Sequence, residues 1–237
     1  MRTRYDGDNT KPDIDVKSAL LDAAKLHVPF DGWTEATFRA ACDDLGVERG
    51  VALAVCPRGA LDLALAYHAQ GDRAMLDRLH QEDLTQMRYR DRVAAAVRFR
   101  LEVVEEKELV RRGVTLFALP HHAFEGAQSI WRTCDQIWVA LGDTSDDVNW
   151  YTKRATLSGV YSSTVLYWLG DESLEHEKTW AFLDRRIDDV MQIESLKAKA
   201  RENKLVSSLM AGPLSFLGRI KPPSSTAPTG MPGRWSR

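Results

Sequence analysis

Hydrophobic positions recur at helical spacing along most of this chain. In the run Val93, Val97, Leu101 and Val104, spacings of four, four and three residues place every side chain on one face of a helix. No stretch alternates between apolar and polar positions and ends in turn residues, as a half-buried strand would. No internal repeat is present either. The pattern therefore predicts an all-α fold.

Turn and breaker residues divide this pattern into successive helices. Pro29 and Gly32 are expected to end the first helix, Gly46 the second, and Pro57 a short third one. Pro120 is expected in the first turn of a later helix. The predicted helical segments are residues 14–28, 34–46, 48–55, 60–79, 85–106, 110–119, 124–141 and 148–169, and a last long helix that contains residues 180–191.

Changes in composition along the chain predict five consecutive regions. Residues 1–13 are polar, and residues 221–237 are rich in Pro, Ser, Thr and Gly, so both ends are expected to be disordered. Between them we predict a helix-turn-helix-like head at residues 14–80 and a larger helical body at residues 81–202. An amphipathic segment at residues 203–220 separates the body from the tail.

Length, charge and cysteine content narrow the class of protein. With 237 residues the chain can bury a core, and a net charge of -2 argues against a polyanionic partner. Cys42, Cys56 and Cys134 lie far apart, as in a reducing compartment, and are expected to be buried. The sequence shows no signal or transit peptide and no apolar run long enough to span a bilayer. These features predict a cytoplasmic protein whose membrane contact, at the inner face of the plasma membrane, is peripheral.

The head has the helix order of a helix-turn-helix, with a turn at Leu45-Gly46-Val47 before the short third helix. A DNA-reading helix needs Arg, Lys, Asn or Gln side chains that reach base edges. Residues 48–55 offer Arg49 alone, and residues 14–80 contain seven Lys or Arg against ten Asp or Glu. Because an acidic head repels phosphate, we expect no nucleic-acid partner.

A loop rich in helix-capping residues precedes an aromatic pair. Residues 144–147 can accept hydrogen bonds from the free N–H groups of a helix start, so a helix is predicted to begin near Val148. Adjacent helical residues point about 100° apart, so Trp150 and Tyr151 cannot both face one core. Either Trp150 packs inside and Tyr151 covers a subunit edge, or the pair forms a contact surface. The pattern alone favours the first arrangement.

These residues resemble a known family. The hexad Asn149-Trp150-Tyr151-Thr152-Lys153-Arg154 after the Gly142-Asp143 turn, and the run KTWAFLDRRI at residues 178–187, are similar to the coenzyme Q (ubiquinone) biosynthesis protein nine family. The similarity is close over residues 131–190 and includes Gly32-Trp33-Thr34 in the head. The resemblance implies a TetR-like helical protein that is not an enzyme. Such a protein binds isoprenoid lipid and assists the di-iron hydroxylase that acts on demethoxyubiquinone.

The resemblance also implies a role for the aromatic residues in and near the last long helices. Rings along helices can enclose a pocket for a flat or isoprenoid ligand, although the same stripes are typical of a close-packed core. The resemblance favours the pocket. The predicted lipid-binding residues are Phe117, Phe124, Trp131, Trp138, Leu157, Tyr161, Val165 and Trp168.

The aromatic motif is the predicted surface for the hydroxylase, through Asn149, Trp150, Tyr151, Lys153 and Arg154. The other expected partners are an isoprenoid quinone or phospholipid, a membrane surface, and a second copy of the chain, since a homodimer is usual for the fold. Two other functions are possible. One is a ligand-responsive repressor of the TetR type, against which the acidic head argues. The other is a helical lipid carrier with no enzyme partner.

Enzyme motifs are absent from the sequence. None of the six histidines has glutamate three positions before it, as a di-iron helical bundle requires, and neither GxSxG nor HExxH occurs. His121 and His122 are adjacent, so they cannot hold one metal ion from one helix face. We expect no catalytic residue, no metal and no cofactor.

Two further segments have ambiguous roles. The arginines at positions 88, 90, 92, 98 and 100 could touch anionic lipid, but nearby acidic residues favour a solvated face. The amphipathic segment after Glu202 could lie in a membrane interface or dock on protein, and the resemblance favours the membrane. Its predicted membrane-binding residues are Leu205, Val206, Leu209, Met210, Phe216 and Leu217.

Overall fold

The computed structural model describes the backbone of residues 11–202 and the side chains within residues 16–192. Over this range the chain forms nine α-helices and no strand, which confirms the predicted all-α class. The helices are α1 Lys11–Asp31, α2 Glu35–Leu45, α3 Arg49–Val55, α4 Ala60–Gln81, α5 Tyr89–Glu102, α6 Lys107–Phe117, α7 Ala123–Ala140, α8 Val148–Leu169 and α9 Glu177–Glu202, with a 3₁₀ turn at Leu174–His176. The predicted membrane-binding residues from Leu205 to Leu217 and the predicted tail lie outside the described residues.

Capping side chains set the starts of helices α2 and α8. Thr34 precedes α2, and its hydroxyl accepts a hydrogen bond from the Thr37 amide at 3.5 Å. Asp147 precedes α8, and its carboxylate accepts one from the Asn149 amide at 2.8 Å. Both side chains satisfy amide groups that have no partner inside the helix. α8 therefore begins where the capping residues predict.

The first helix is longer than predicted at both ends. α1 begins at Lys11, inside the segment expected to be disordered, and continues through Pro29 to Asp31. Pro29 removes one amide donor, but the next turn still closes because the Gly32 amide donates to the Val28 carbonyl at 2.8 Å. Gly32, with a φ of 69°, then takes the chain out of the helix.

Two other predicted boundaries are wrong. The segment 85–106 is helical only over Tyr89–Glu102. The Arg92 guanidinium donates to the carbonyls of Thr85 and Met87, and these bonds stabilise an irregular turn before the helix. Pro120 lies in the turn between α6 and α7, outside the first turn of α7, which begins at Ala123.

The described residues form two hydrophobic cores that share α4. The head core joins α1, α2, α3 and the first half of α4 to Leu109 of α6. The body core joins the second half of α4 to α5, α7, α8 and α9. The three cysteines are buried as predicted, Cys42 and Cys56 in the head core and Cys134 in the body core.

No single described helix is long and apolar enough to cross a bilayer. The bent pair α3 and α4 passes that test when the two helices are taken together, by length and composition alone.

The close crossing of α4 and α5 depends on a glycine. A Cβ atom at Gly71 of α4 would lie 2.5 to 2.8 Å from three guanidinium atoms of Arg100 on α5. Arg100 is buried and cannot move aside freely, because its Nε donates to Asp72 at 2.8 Å. The guanidinium therefore occupies the space that a larger residue on α4 would need.

We expect Gly71→Ala to destabilise the fold, although alanine normally favours a helix. The new methyl group would overpack the buried guanidinium, which should lower the free energy of unfolding by about 1–3 kcal/mol. Gly50→Ala in α3 is the matched control, because its Cβ would meet its nearest neighbour at an ordinary 3.6 Å. That variant should gain up to about 1 kcal/mol. Urea unfolding measures both changes, and equal effects would contradict this account.

Candidate ligand-binding site

A cavity of about 400 Å³ lies between the head and the body. Helices α4, α5, α6, α7 and α8 surround it, and Trp33, just before α2, contributes the indole ring at the head side. Most of the lining is apolar. The lining residues with the largest aliphatic or aromatic side chains are Trp33, Tyr67, Leu101, Val104, Leu109, Val110, Val114, Phe117, Ile130, Tyr161, Val165 and Leu166.

Small residues on α6 and α7 leave the space for this cavity. Gly113 lines it from α6, and a Cβ there would meet nothing nearer than the Trp33 indole nitrogen at 3.8 Å. Gly126 of α7 allows a close crossing, since a Cβ at that position would lie 2.7 Å from the Cβ of Phe117. The two helices therefore touch at Gly126 and leave an opening beside it.

Six polar residues interrupt the apolar lining: Tyr67, His68, Arg100, Ser129, Tyr161 and Ser162. We call the four larger ones, Tyr67, His68, Arg100 and Tyr161, the polar wall. Arg100 is held in place from two sides. Its Nε donates to Asp72 Oδ1 at 2.8 Å, and its Nη2 donates to the His68 carbonyl at 3.0 Å. Asp72 is 1% exposed, and among the described residues its Oδ2 has no hydrogen-bond partner.

Thr133 of α7 links the imidazole of His68 to Asp72. The threonine hydroxyl lies 2.8 Å from both His68 Nε2 and Asp72 Oδ1. Because a carboxylate can only accept, Thr133 donates to Asp72 and accepts from His68, which requires the tautomer protonated at Nε2. The chain of bonds ties α4, α5 and α7 together behind the cavity.

Burial fixes the charges of the polar wall. It lowers the pKa of His68 to about 4, against a smaller opposing effect of Asp72, so the imidazole is neutral at pH 7. It raises the pKa of both Tyr67 and Tyr161 to about 12, so both phenols stay protonated. At neutral pH the wall therefore presents neutral side chains around one ion pair.

The mouth of the cavity is rimmed by apolar side chains. Leu166 of α8 lines the cavity and is also exposed. Ala118, which follows α6, and Ala123, the first residue of α7, also line the cavity and are exposed. Their neighbours in sequence, Leu119 and Phe124, are exposed, Phe124 to 75%. An apolar ligand can therefore reach the cavity without crossing a charged rim.

The aromatic motif at the start of α8 is built on a buried arginine. Arg154 is 1% exposed and pairs with Asp135 of α7 and, at 3.2 Å, with Asp143 in the preceding loop. Its guanidinium lies 3.9 Å from the ring centroid of Trp150. Burial opposes ionisation of Asp143, but hydrogen bonds from Lys153 and from Ser145 and Arg154 lower its pKa. The cluster fastens α8 to α7.

Three rings of this motif form a half-buried cluster. Trp131 of α7 lies 5.9 Å from Trp150 and 6.5 Å from Tyr151, measured between ring centroids. Trp150 and Tyr151 meet edge to face at 4.8 Å. Each ring keeps part of its surface accessible, so the motif combines packing and exposure.

Comparison with known proteins relates this architecture to one family. Residues 123–194 match the family model COQ9. Ubiquinone biosynthesis protein COQ9 of Drosophila melanogaster is 31% identical over 202 residues, which cover 80% of this chain and 62% of that protein. The Homo sapiens protein of the same name is 28% identical over 210 residues, covering 83% of this chain and 65% of that protein. The resemblance to the COQ9 family is confirmed.

The names of these two relatives give their biosynthetic pathway and their location in the cell. The chain spans slightly less than two thirds of the length of either relative. Both are named as ubiquinone biosynthesis proteins, which supports a role for this chain in ubiquinone biosynthesis. Both are also named mitochondrial, so the predicted cytoplasmic location at the inner face of the plasma membrane is wrong.

The TetR-like fold is confirmed by a solved structure. The TetR transcriptional regulator from Nitrosomonas europaea superposes with a TM-score of 0.61 and covers 73% of this chain and 97% of its own. Sequence identity is 18%, so this likeness shows the fold alone.

Of the eight residues predicted to bind lipid from the COQ9 resemblance, three line the cavity and five do not. Phe117, Tyr161 and Val165 line the cavity. Trp168 lines a separate hollow, and Phe124 is exposed beside the mouth. The other three lie away from the cavity, Trp138 and Leu157 in the body core and Trp131 in the ring cluster.

Sequence reasoning missed Tyr67, His68 and Arg100 of the polar wall and every α6 lining residue except Phe117. His68 and Asp72 are four residues apart on one helix face with Gly71 beside them, a spacing that could have marked a buried polar pair. The expected solvated face of the arginine stretch is wrong for Arg100, because its partner Asp72 lies inside the protein. Arg154 was predicted to contact a partner, but it is buried, and its guanidinium packs against the Trp150 ring.

The neutral His68 predicts an acid-sensitive fold. Its pKa is about 4 in the folded chain and near 6.5 when exposed, so only the unfolded chain binds a proton between these values. Stability from this group is complete above pH 6.5 and falls as pH drops, by up to about 3 kcal/mol. We expect His68→Gln to lose less stability between pH 7 and pH 4.5 than the parent, measured by urea unfolding. His80→Gln, at an exposed position, should behave like the parent.

The buried ion pairs of Arg154 predict a large effect on stability. Arg154→Met leaves the buried Asp143 carboxylate with Lys153 as its remaining cation, so we expect a loss of about 3–5 kcal/mol in urea unfolding. Arg49→Met breaks an exposed pair with Glu35 and should cost less than about 1 kcal/mol. Similar small losses in the two variants would show that Arg154 is not structural.

Proposed function

We propose that this chain is a non-enzymatic accessory factor of ubiquinone biosynthesis, which binds a polyprenylated quinone intermediate and presents it to the di-iron demethoxyubiquinone hydroxylase. The observation that carries the proposal is the apolar cavity with its small polar wall, in a chain that resembles the COQ9 family. Sites for small apolar ligands have this character, with few polar groups in a largely apolar lining.

The cavity volume supports an isoprenoid ligand. At about 400 Å³ it lies in the lower part of the range of roughly 300–1,000 Å³ that is typical of ligand pockets. Burial of apolar ligand surface contributes about 25 cal/mol for each Å² removed from water. The exposed apolar residues Leu119, Phe124 and Leu166 provide an entrance for such a molecule.

The ring cluster of Trp131, Trp150 and Tyr151 is the proposed contact surface for the hydroxylase. Large rings that remain partly accessible are typical of the residues that dominate protein interfaces. Arg154 stacks on Trp150 and holds that ring from beneath. The surface is therefore rigid before a partner arrives, which lowers the entropy lost on binding.

The alternative of a ligand-responsive repressor has less support. The fold is that of TetR regulators, but α3 carries Arg49 as its only Lys or Arg, and this side chain pairs with Glu35 at 2.7 Å. A base-reading helix needs free donors. The head instead supplies Trp33 and Ala64 to the cavity.

The test is mass spectrometry of organic extracts from the purified protein. We expect a polyprenylated quinone or its precursor to co-purify with the parent chain. Val114→Trp would fill the cavity from α6 and should lose the lipid, whereas Val139→Trp, at an exposed position of α7, should keep it. Both variants should retain a cooperative melting transition. An extract without isoprenoid quinone, or equal lipid in both variants, would contradict the proposal.

A further inference from the structure

A second hollow lies beside the cavity, at the end of α5, and has a volume of about 320 Å³. Leu101 and Val104 line both the cavity and this hollow. The other residues that line the hollow are Arg98, Glu102, Trp168, Glu175, His176 and Trp180. The two spaces therefore adjoin at Leu101 and Val104, and both of these side chains are aliphatic.

The two shared side chains are held to different degrees. Leu101 is 2% exposed and belongs to the last turn of α5. Val104 is half-buried and lies in the connection between α5 and α6, where its amide donates to the Leu101 carbonyl at 3.1 Å. Side chains in connecting segments are more mobile than those packed inside helices. Val104 is therefore the movable part of the partition between the two spaces.

The floor of the hollow is apolar, and its rim is charged. Trp168, which is 3% exposed, lies at the floor with Leu101. The imidazole of His176 is edge to face with two indoles, 6.0 Å from Trp168 and 6.4 Å from Trp180 between ring centroids. Arg98 is exposed and marks the rim. Such a floor suits the end of an apolar chain, which buries surface there and needs no hydrogen-bond partner.

A strained turn forms the outer wall of the hollow. Glu175 and His176 have φ values of 49° and 58°, in the left-handed region that side chains other than glycine rarely adopt. Two bonds hold the turn in place. The Trp180 indole donates to the Glu175 carbonyl at 2.8 Å, and the Lys107 ammonium donates to the Trp168 carbonyl at 2.8 Å. Backbone strain of this kind is typical of functional sites, and here it places an imidazole between two indoles.

We propose that Val104 is a gate between the cavity and the second hollow, and that the isoprenoid tail of the bound lipid passes this gate. The far end of the tail then lies in the hollow against Trp168 and Trp180. This inference rests on the proposed function and goes further, because it names a second subsite and the residue that controls access to it. Tails too long for the cavity gain their remaining burial in the hollow.

The gate also sets the orientation of the lipid. A tail that passes Val104 leaves the quinone ring near the mouth of the cavity, where Leu119, Phe124 and Leu166 are exposed. An enzyme can reach the ring there while the tail stays bound. Entry of the ring first would place it deep in the cavity, and the lipid would have to leave before it could react.

The test uses two quinone probes that carry a photoreactive diazirine at the far end of the tail. One has a geranylgeranyl tail and the other a shorter geranyl tail. Each is bound to the full-length protein and irradiated, and mass spectrometry of peptides locates the label. We expect the long probe to label residues that line the hollow, Trp168 and Trp180 among them. The short probe should label residues that line the cavity alone, such as Phe117 and Val165.

Two variants at the gate act in opposite directions. Val104→Trp blocks the passage, and the loss of burial for only two methylene groups already corresponds to about tenfold in affinity. The preference for the long probe over the short one should therefore fall by about tenfold or more. Val104→Ala widens the passage and should increase labelling of the hollow. The matched control is Val103→Trp, because Val103 is half-buried but absent from the described lining of both spaces. It should leave the preference unchanged.

The outcomes distinguish this inference from the proposed function. If the long probe labels only residues at the mouth, such as Leu119 and Phe124, the cavity binds lipid but the gate is refuted. Equal loss of both probes in Val104→Trp would also refute the gate, because the new indole would then only fill the cavity. If Val104→Trp does not fold, unchanged labelling in Val104→Ala refutes it. If neither probe labels a residue of the cavity, both the gate and the proposed lipid binding fail.

Discussion

A buried ion pair between Arg100 of α5 and Asp72 of α4 organises the centre of this protein. Either charge alone would be costly inside the fold, so the two groups constrain each other's position. Gly71 gives the guanidinium room, and Thr133 with His68 extends the bonds to α7. The ion pair thus joins α4 and α5 beside the cavity, and its arginine is part of the polar wall.

Helix α6 connects the head to that cavity. The Trp33 indole donates to the Leu109 carbonyl at 3.1 Å, and the Arg112 guanidinium donates to the Pro29 carbonyl at 2.8 Å. Leu109 belongs to the head core and also lines the cavity. The head is therefore one wall of the cavity. This role gives a physical reason for a chain to keep such a head when its third helix offers no free base-reading side chain.

The aromatic motif shows how packing and exposure can coexist. Its sequence left open whether Trp150 is buried or forms a contact surface. In the structure Arg154 is the buried residue, and its guanidinium supports a Trp150 ring that stays partly accessible. A cation stacked beneath a ring fixes the orientation of the ring without covering its outer face. The motif can thus stabilise the join between α7 and α8 while it presents a rigid aromatic surface.

The sequence by itself determined the helical class, the start of α8, the family resemblance and three of the cavity residues, Phe117, Tyr161 and Val165. Those features depend on local periodicity, caps and motif spacing, which neighbouring residues specify. Only the tertiary structure decided that Arg100 turns inward, that Trp138 and Leu157 belong to the core, and that the head closes the cavity. Arg100 meets Asp72 across 28 positions, and Trp33 meets Leu109 across 76. Contacts at such separations arise from how helices cross, which the apolar pattern of one helix does not encode.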